Sequence, residues 1–509
     1  MRSRGGPSLT LIGGLLAVPL LLLGGAGVLP SAKVIPRGLW ENAGLAWLAG
    51  CALFAVFGTL GLAFGVPFPI IAAVAVAGCL FSGWKAWKRG DLEDCRRTPT
   101  LLGRGWVLLL AILGLGSAAL TLALPINAFD PLLHFAYKGK ILFHHGSPTD
   151  QALMGMAGDN GLFGRMVTHP NYPLGVPLLE AFAAWLGGGW NDRWVQFPLA
   201  FWAAALPAVV FFGLRHLSLA TAKVGALVAA SVPMLYVRDF LAEGTGGLAM
   251  AGLGNTSSLG GWGDLPIAAL LAGGCGLLLR ARTTPCKRAA MVAGLLVAGG
   301  ACMKNEGLAM AGVFALALLF SGALLLAEGE AKSRRVTWFA LAALLVGVLP
   351  WLILRSSLPS IDENYLSHFQ PDRIAHFLGG GAELVEKAPK VMVGQAPELL
   401  ANPPERRMLV PGYFGEEIFD FRSWGLLWPL VFIALFAPST RKDPNQRWLA
   451  LLVIGGLLLY ALILLVTPWY LPLLRDKGIP ERLMLHLVGP ASMIVAAWWA
   501  RPSFPSSTT

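Results

Sequence analysis

Apolar runs of about 20 residues recur along this chain, and no other feature restricts its fold so strongly. A helix rises about 1.5 Å per residue, so such a run matches the roughly 30 Å hydrocarbon core of a bilayer. In hydrocarbon every backbone N–H and C=O must find a partner within the protein, which leaves helices and closed barrels. The runs are continuous rather than alternating, so they read as helices. With 56% hydrophobic and 13% charged residues and a mean hydropathy of +0.64, the expectation is an all-α, polytopic integral membrane protein. The runs suggest about 12–14 transmembrane helices.

Spans are expected near 9–28, 43–66, 67–84, 106–124 and 195–214, then near 224–236, 265–279, 289–303, 308–326 and 338–354. The last three fall near 426–436, 448–466 and 483–499. The N-terminal MRSRGG precedes an apolar run without a clear small-residue cleavage site, so that run reads as a membrane segment rather than a signal peptide. The net charge of +11 would suggest nucleic acid in a soluble protein. Here the basic residues cluster in short loops at 85–104, 280–288, 332–335 and 441–447, where the positive-inside rule accounts for them, and nothing points to a nucleic-acid surface. These loops then face the cytoplasm of a multi-pass cell (inner or plasma) membrane protein. The same count puts Arg2 and Arg4 outside, against the rule. Cys51, Cys79, Cys95, Cys275, Cys286 and Cys302 lie in basic loops or apolar runs, with neither a disulfide framework nor a metal-ligand spacing.

The chain divides into N-terminal transmembrane helices (1–105), a core (106–327) with an extracytoplasmic loop at 126–194, and C-terminal helices (328–509) with a second outer loop at 355–424. The stretch 127–173 is unusually polar, holding Asp130, Lys138, Lys140, Arg165 and four histidines, His134, His144, His145 and His169. The apolar stretch 174–185 contains Pro177 and Glu180 and is too short to span, so a helix at the outer surface is expected. Glu180 then faces either a cavity or the water side.

Several residues read in two ways. Asp130, beside Pro131, is a good helix start and also a candidate general base. Lys304 and Glu306 interrupt an apolar hairpin, and charges at such depth need a partner or mark function. They form a mutual ion pair at the membrane surface, or Lys304 holds a phosphate and Glu306 orients it. Lys138 and Lys140 are interface lysines that snorkel, or lipid-phosphate contacts. Arg482, at a membrane entry, is an interface anchor or a phosphate ligand.

The order of these features resembles the GT-C superfamily of membrane glycosyltransferases, which includes protein O-mannosyltransferases and aminoarabinose transferases. Those enzymes place an acidic residue early in the first extracytoplasmic loop, followed by surface helices and a Pro-containing apolar segment. Asp130 matches the acidic residue, and Tyr172-Pro173-Leu174, after His169-Pro170-Asn171, matches the Pro segment. Gly263-Asp264-Leu265-Pro266 and Lys304-Asn305-Glu306-Gly307 look like the same superfamily, as do Arg482 and His486 near the last span. The family often carries two adjacent acidic residues, whereas this chain has Asp130-Pro131, which leaves a divalent cation optional and its ligands unspecified. The resemblance makes the core GT-C-like, with the active site extracytoplasmic.

The resemblance implies a polyprenyl-phosphate-linked sugar as donor and a glycan, lipid or protein as acceptor. Asp130 would act as base and the sugar would transfer with inversion. Lys138, Lys140, His169, Tyr172, Asp264, Lys304, Glu306 and Arg482 would bind substrate. Two rivals remain. An O-antigen polymerase or ligase would centre on Arg406, Arg407 and His376. A lipid or solute transporter would place ionisable residues in span centres and repeat its topology.

Overall fold

A computed structural model describes residues 7–97, 104–123, 126, 131–148, 171–236, 263–327, 330–358, 371, 374, 403–466 and 479–500. Among these residues all regular structure is helical. The chain begins with α1 (Pro7–Val28), α2 (Leu39–Ala63), α3 (Phe68–Lys88), α4 (Asp91–Arg97) and α5 (Arg104–Ala123). A π-type turn, Pro131–Ala136, leads into α6 (Tyr137–His145), and α7 (Gly175–Leu186) follows. A 3-10 stretch, Trp194–Phe201, continues as α8 (Trp202–Leu214), before α9 (Leu219–Ala230). Then come α10 (Asp264–Thr283), α11 (Lys287–Ala301), α12 (Asn305–Ala327) and α13 (Ala331–Ser356). The C-terminal part holds α14 (Pro403–Ile418), α15 (Phe421–Trp424), α16 (Leu427–Phe436), α17 (Pro438–Lys442), α18 (Pro444–Val466), α19 (Ile479–Leu485) and α20 (Val488–Trp499).

Eight helical units among the described residues are long and apolar enough to cross a bilayer: those of α1, α2, α3, Trp194–Leu214, α10, α12, α13 and α18. Four shorter apolar helices, α7, α9, α16 and α20, stand between or beside them. This is a multi-pass membrane architecture. Two of the expected spans are interrupted: the helix in the run at 224–236 ends at Ala230, ahead of Pro233, and the run at 483–499 is split around His486 and Leu487.

α10 is the axis of the bundle. Apart from its charged ends it is apolar all round, and a helix of that kind is buried rather than amphipathic. It packs against α8, α11, α13 and α20.

The basic loops converge on one end of this bundle. The last carbonyls of α1 lack intrahelical donors, and two arginines supply them. Arg89 donates to Ala26 O and Gly27 O, both at 3.1 Å, and Arg288 donates through Nε to Val28 O at 2.8 Å. Arg215, after α8, pairs with Glu41 of α2 at 2.8 Å. Arg282 reaches Thr337 at 3.1 Å and Asn445 at 3.3 Å, which ties the start of α13 to the first turn of α18. We call this the basic end. Since α1 finishes there, it starts at the far end.

The far end gathers the first polar loop. The Gly146 carbonyl, just past α6, accepts from Phe68 N at 2.8 Å, so α6 docks on the start of α3. The Gly175 N–H donates to Cys302 O at 2.6 Å, which seats the start of α7 on the link between α11 and α12. α7 is too short to span, in line with its sequence, but it does not lie at the surface. It is enclosed by α1, α2 and α6, because it offers no polar face to water beyond Glu180. Glu180 is itself wholly buried, beside Gly139 of α6. Burial, helped by the charge of Asp192, pushes its carboxyl well above the usual range.

Candidate functional site

At the far end, four chain segments bring their polar side chains to one carboxylate. Asp264 is the first residue of α10. Lys304 sits in the link between α11 and α12, and Glu306 lies in the first turn of α12, where the helix dipole favours an acid. Arg482 is on α19 and His486 in the break before α20, while Tyr460 is near the end of α18.

Lys304 Nζ donates to Asp264 Oδ1 at 3.0 Å and lies 2.8 Å from Glu306 Oε1. Arg482 Nε donates to Asp264 Oδ2 at 2.9 Å. His486 Nε2 is 3.1 Å from Asp264 Oδ1, and His486 Nδ1 is 2.5 Å from the Tyr460 hydroxyl. A carboxylate that takes donors from Lys and Arg accepts only, so His486 must donate through Nε2–H. The other ring nitrogen, Nδ1, meets the Tyr460 hydroxyl. The result is a connected chain of Tyr460, His486 and Asp264, with two cations fixed on the same carboxylate.

Burial makes this cluster consequential. Asp264, Lys304, His486 and Tyr460 are all 3% exposed or less, and Glu306 and Arg482 are partly exposed. Two cations face two carboxylates, so the group is close to neutral. Single charges at this depth would cost several kcal/mol each, and the pairing offsets that cost. Two glycines permit the geometry. A Cβ on Gly263 would stand 3.1 Å from Lys304 Cβ, and one on Gly307 would stand 2.0 Å from the Gly300 carbonyl oxygen. A side chain at Gly263 would press on Lys304, and one at Gly307 would wedge α11 and α12 apart.

Of the residues singled out from sequence, Asp264, Lys304, Glu306 and Arg482 therefore meet. His486 joins them, and the sequence offered Arg482 and His486 together. Tyr460 was missed. It stands in an otherwise apolar run, LLLYALILL, and a lone Tyr there reads as core or interface. The ion pair weighed for Lys304 and Glu306 is present, with Asp264 as a further partner.

The first loop contributes less directly. Lys138 does not snorkel. It is fully buried, its Nζ 3.3 Å from Tyr172 O and 5.7 Å from the centre of the Tyr172 ring. Burial lowers its pKa to about 7. Tyr172 is buried and stacks near His134, with ring centres 5.2 Å apart. Lys140, His144 and His145 are exposed on α6. Asp130, Arg165, His169 and His376 lie outside the described residues, as do the side chains of Arg406 and Arg407.

For a divalent cation, Glu417, Asp420 and Glu481 each bring one carboxylate oxygen within 4.8 Å of the others. Oxygen ligands suit a hard cation such as Mg²⁺ or Ca²⁺. Asp420 also caps α15, accepting from Arg422 N at 3.0 Å and from Ser423 Oγ at 2.7 Å, so the grouping has a structural reason of its own.

Compared with known protein families and with curated proteins, the chain matches no family model and no curated sequence.

Proposed function

We propose that this chain is a membrane glycosyltransferase resembling the GT-C superfamily. It would take a sugar from a polyprenyl-phosphate donor at the far end of the bundle, which by the positive-inside rule faces away from the cytoplasm. The observation that carries this reading is the cluster around Asp264. Lys304 and Arg482 come from segments far apart in sequence, yet both are fixed on one carboxylate beside the outer loop. Prearranged cations of this kind suit the charge that develops on a departing lipid phosphate. Asp264 would hold them in position, and Glu306 would balance Lys304 until the donor arrives. Arginine adds a planar set of five N–H donors, of which Nε–H goes to Asp264, and that geometry matches phosphate oxygens.

In this mechanism the acceptor nucleophile attacks the anomeric carbon as its proton passes to Asp130, the general base. The bond from that carbon to the phosphate oxygen breaks, the configuration inverts, and polyprenyl phosphate leaves toward Lys304 and Arg482. The transporter alternative fits less well. Among the described residues the ionisable groups of the Asp264 cluster occupy helix ends rather than span centres, although the break between α19 and α20 at His486 is a feature transporters share.

The experiment is an Asp130→Asn variant assayed for donor binding and for sugar transfer. Asn caps a helix about as well as Asp, so the fold should survive. Transfer should fall by roughly 100-fold or more while donor binding persists. Near-normal transfer by the folded variant would remove Asp130 from the mechanism.

A further inference from the structure

The basic end carries a second site that the proposed transfer does not use. Between the last turns of α12 and the first turns of α13 lies a cavity of about 970 Å³. Its wall is apolar, formed by Leu319, Gly322, Ala323, Trp338, Phe339 and Ala342. Its rim is cationic, formed by Lys332, Arg334 and Arg335. A fourth cation, Lys287 at the start of α11, stands 5.3 Å from the ring centre of Phe339. Glu330 is also at this end of α13 and accepts from the Ser333 hydroxyl at 3.4 Å, so among the described residues named here four cations face one carboxylate. Leu319 and Trp338 are 43% and 47% exposed, an arrangement that water would penalise and lipid would not.

We infer that this cavity binds an anionic phospholipid of the leaflet at the basic end, its phosphate at the Lys332–Arg334–Arg335 rim and an acyl chain along the apolar wall. Charge complementarity selects the occupant. The positive-inside rule alone explains cations near a membrane surface, but it does not explain why three of them ring an apolar cavity. Basic pockets between transmembrane helices on the cytoplasmic side take anionic head groups. The tryptophan at the rim has the amphipathic character suited to head-group depth. The start of α13 lies in the same lining, and its first backbone N–H groups add a weak preference for an anion.

The test is native mass spectrometry of the purified full chain, released from detergent with phosphatidylglycerol or with phosphatidylcholine. Phosphatidylglycerol should remain bound where phosphatidylcholine is lost. The double variant Arg334→Gln/Arg335→Gln should weaken retention by on the order of tenfold. Gly322→Leu should weaken it as well. A Cβ at Gly322 meets only ordinary contact, 3.8 Å from Trp338, so the larger side chain fills the groove and leaves the rim charge intact. If Gly322→Leu does not fold, Ala323→Leu fills the same groove from an exposed position. Equal retention of both lipids would overturn the proposal. So would full phosphatidylglycerol retention in the groove-filled variant, which would reduce the rim to a general attraction for anionic surfaces. Displacement of phosphatidylglycerol by millimolar inorganic phosphate would assign the rim to a free anion and also overturn the lipid.

Discussion

A lysine with no exposed surface is an expensive residue, and Lys138 shows how the cost appears. Its folded pKa is lowered to about 7 by burial. The unfolded value is about 10.4. Between those two values the unfolded chain holds a proton that the folded chain has released, so stability rises with pH across that window. Lys138→Met should therefore flatten the pH dependence of the melting temperature between about pH 7 and 10. A wild-type melting temperature that falls across this range would contradict it. Asp264 makes the opposite case. It holds Lys304, Arg482 and His486 together, and its loss would take a buried charged partner from each of them. Asp264→Ala should cost about 3–5 kcal/mol, read from chemical or thermal unfolding in detergent. A loss below about 1 kcal/mol would mean that the cluster is wetter than its burial implies.

At the scale of elements, the site depends on where helices stop. α11 ends at Ala301 and α12 begins at Asn305, which leaves Lys304 in the link. α19 ends at Leu485 and α20 begins at Val488, which turns His486 inward. Charges that interrupt apolar runs were legible in the sequence, so Asp264, Lys304, Glu306 and Arg482 could be singled out there. Their meeting could not be read, because the Asp264 partners lie 40, 218 and 222 residues away. Tyr460 was invisible for a related reason: its role comes from a neighbour, His486, on another helix. The placement of α7 shows a second limit. Length settled that it does not span, but its depth is set by α1, α2 and α6, which periodicity does not encode.

For the whole molecule, hydropathy and the distribution of Lys and Arg carried most of the fold. The basic loops meet at one end through Arg89, Arg215, Arg282 and Arg288, and the polar cluster occupies the other. The breaks within runs were not legible, since the helices end before Pro233 and at His486 in stretches that look continuous. The far end should face away from the cytoplasm. A cysteine at Ser147, just past α6, should react with an impermeant thiol reagent added outside intact cells, and labelling solely from the cytoplasmic side would invert the topology. In the proposed transfer Lys304 and Arg482 receive the phosphate of a lipid-linked donor. The most direct measurement is the affinity of the purified chain for polyprenyl phosphate, compared with Lys304→Ala and Lys304→Arg proteins that still melt cooperatively. Lys304→Ala should bind at least tenfold more weakly and Lys304→Arg should recover in part, because a planar fork replaces a point charge imperfectly. Unchanged affinity in Lys304→Ala would contradict that role and leave Lys304 as a buried ion-pair partner of Asp264 and Glu306.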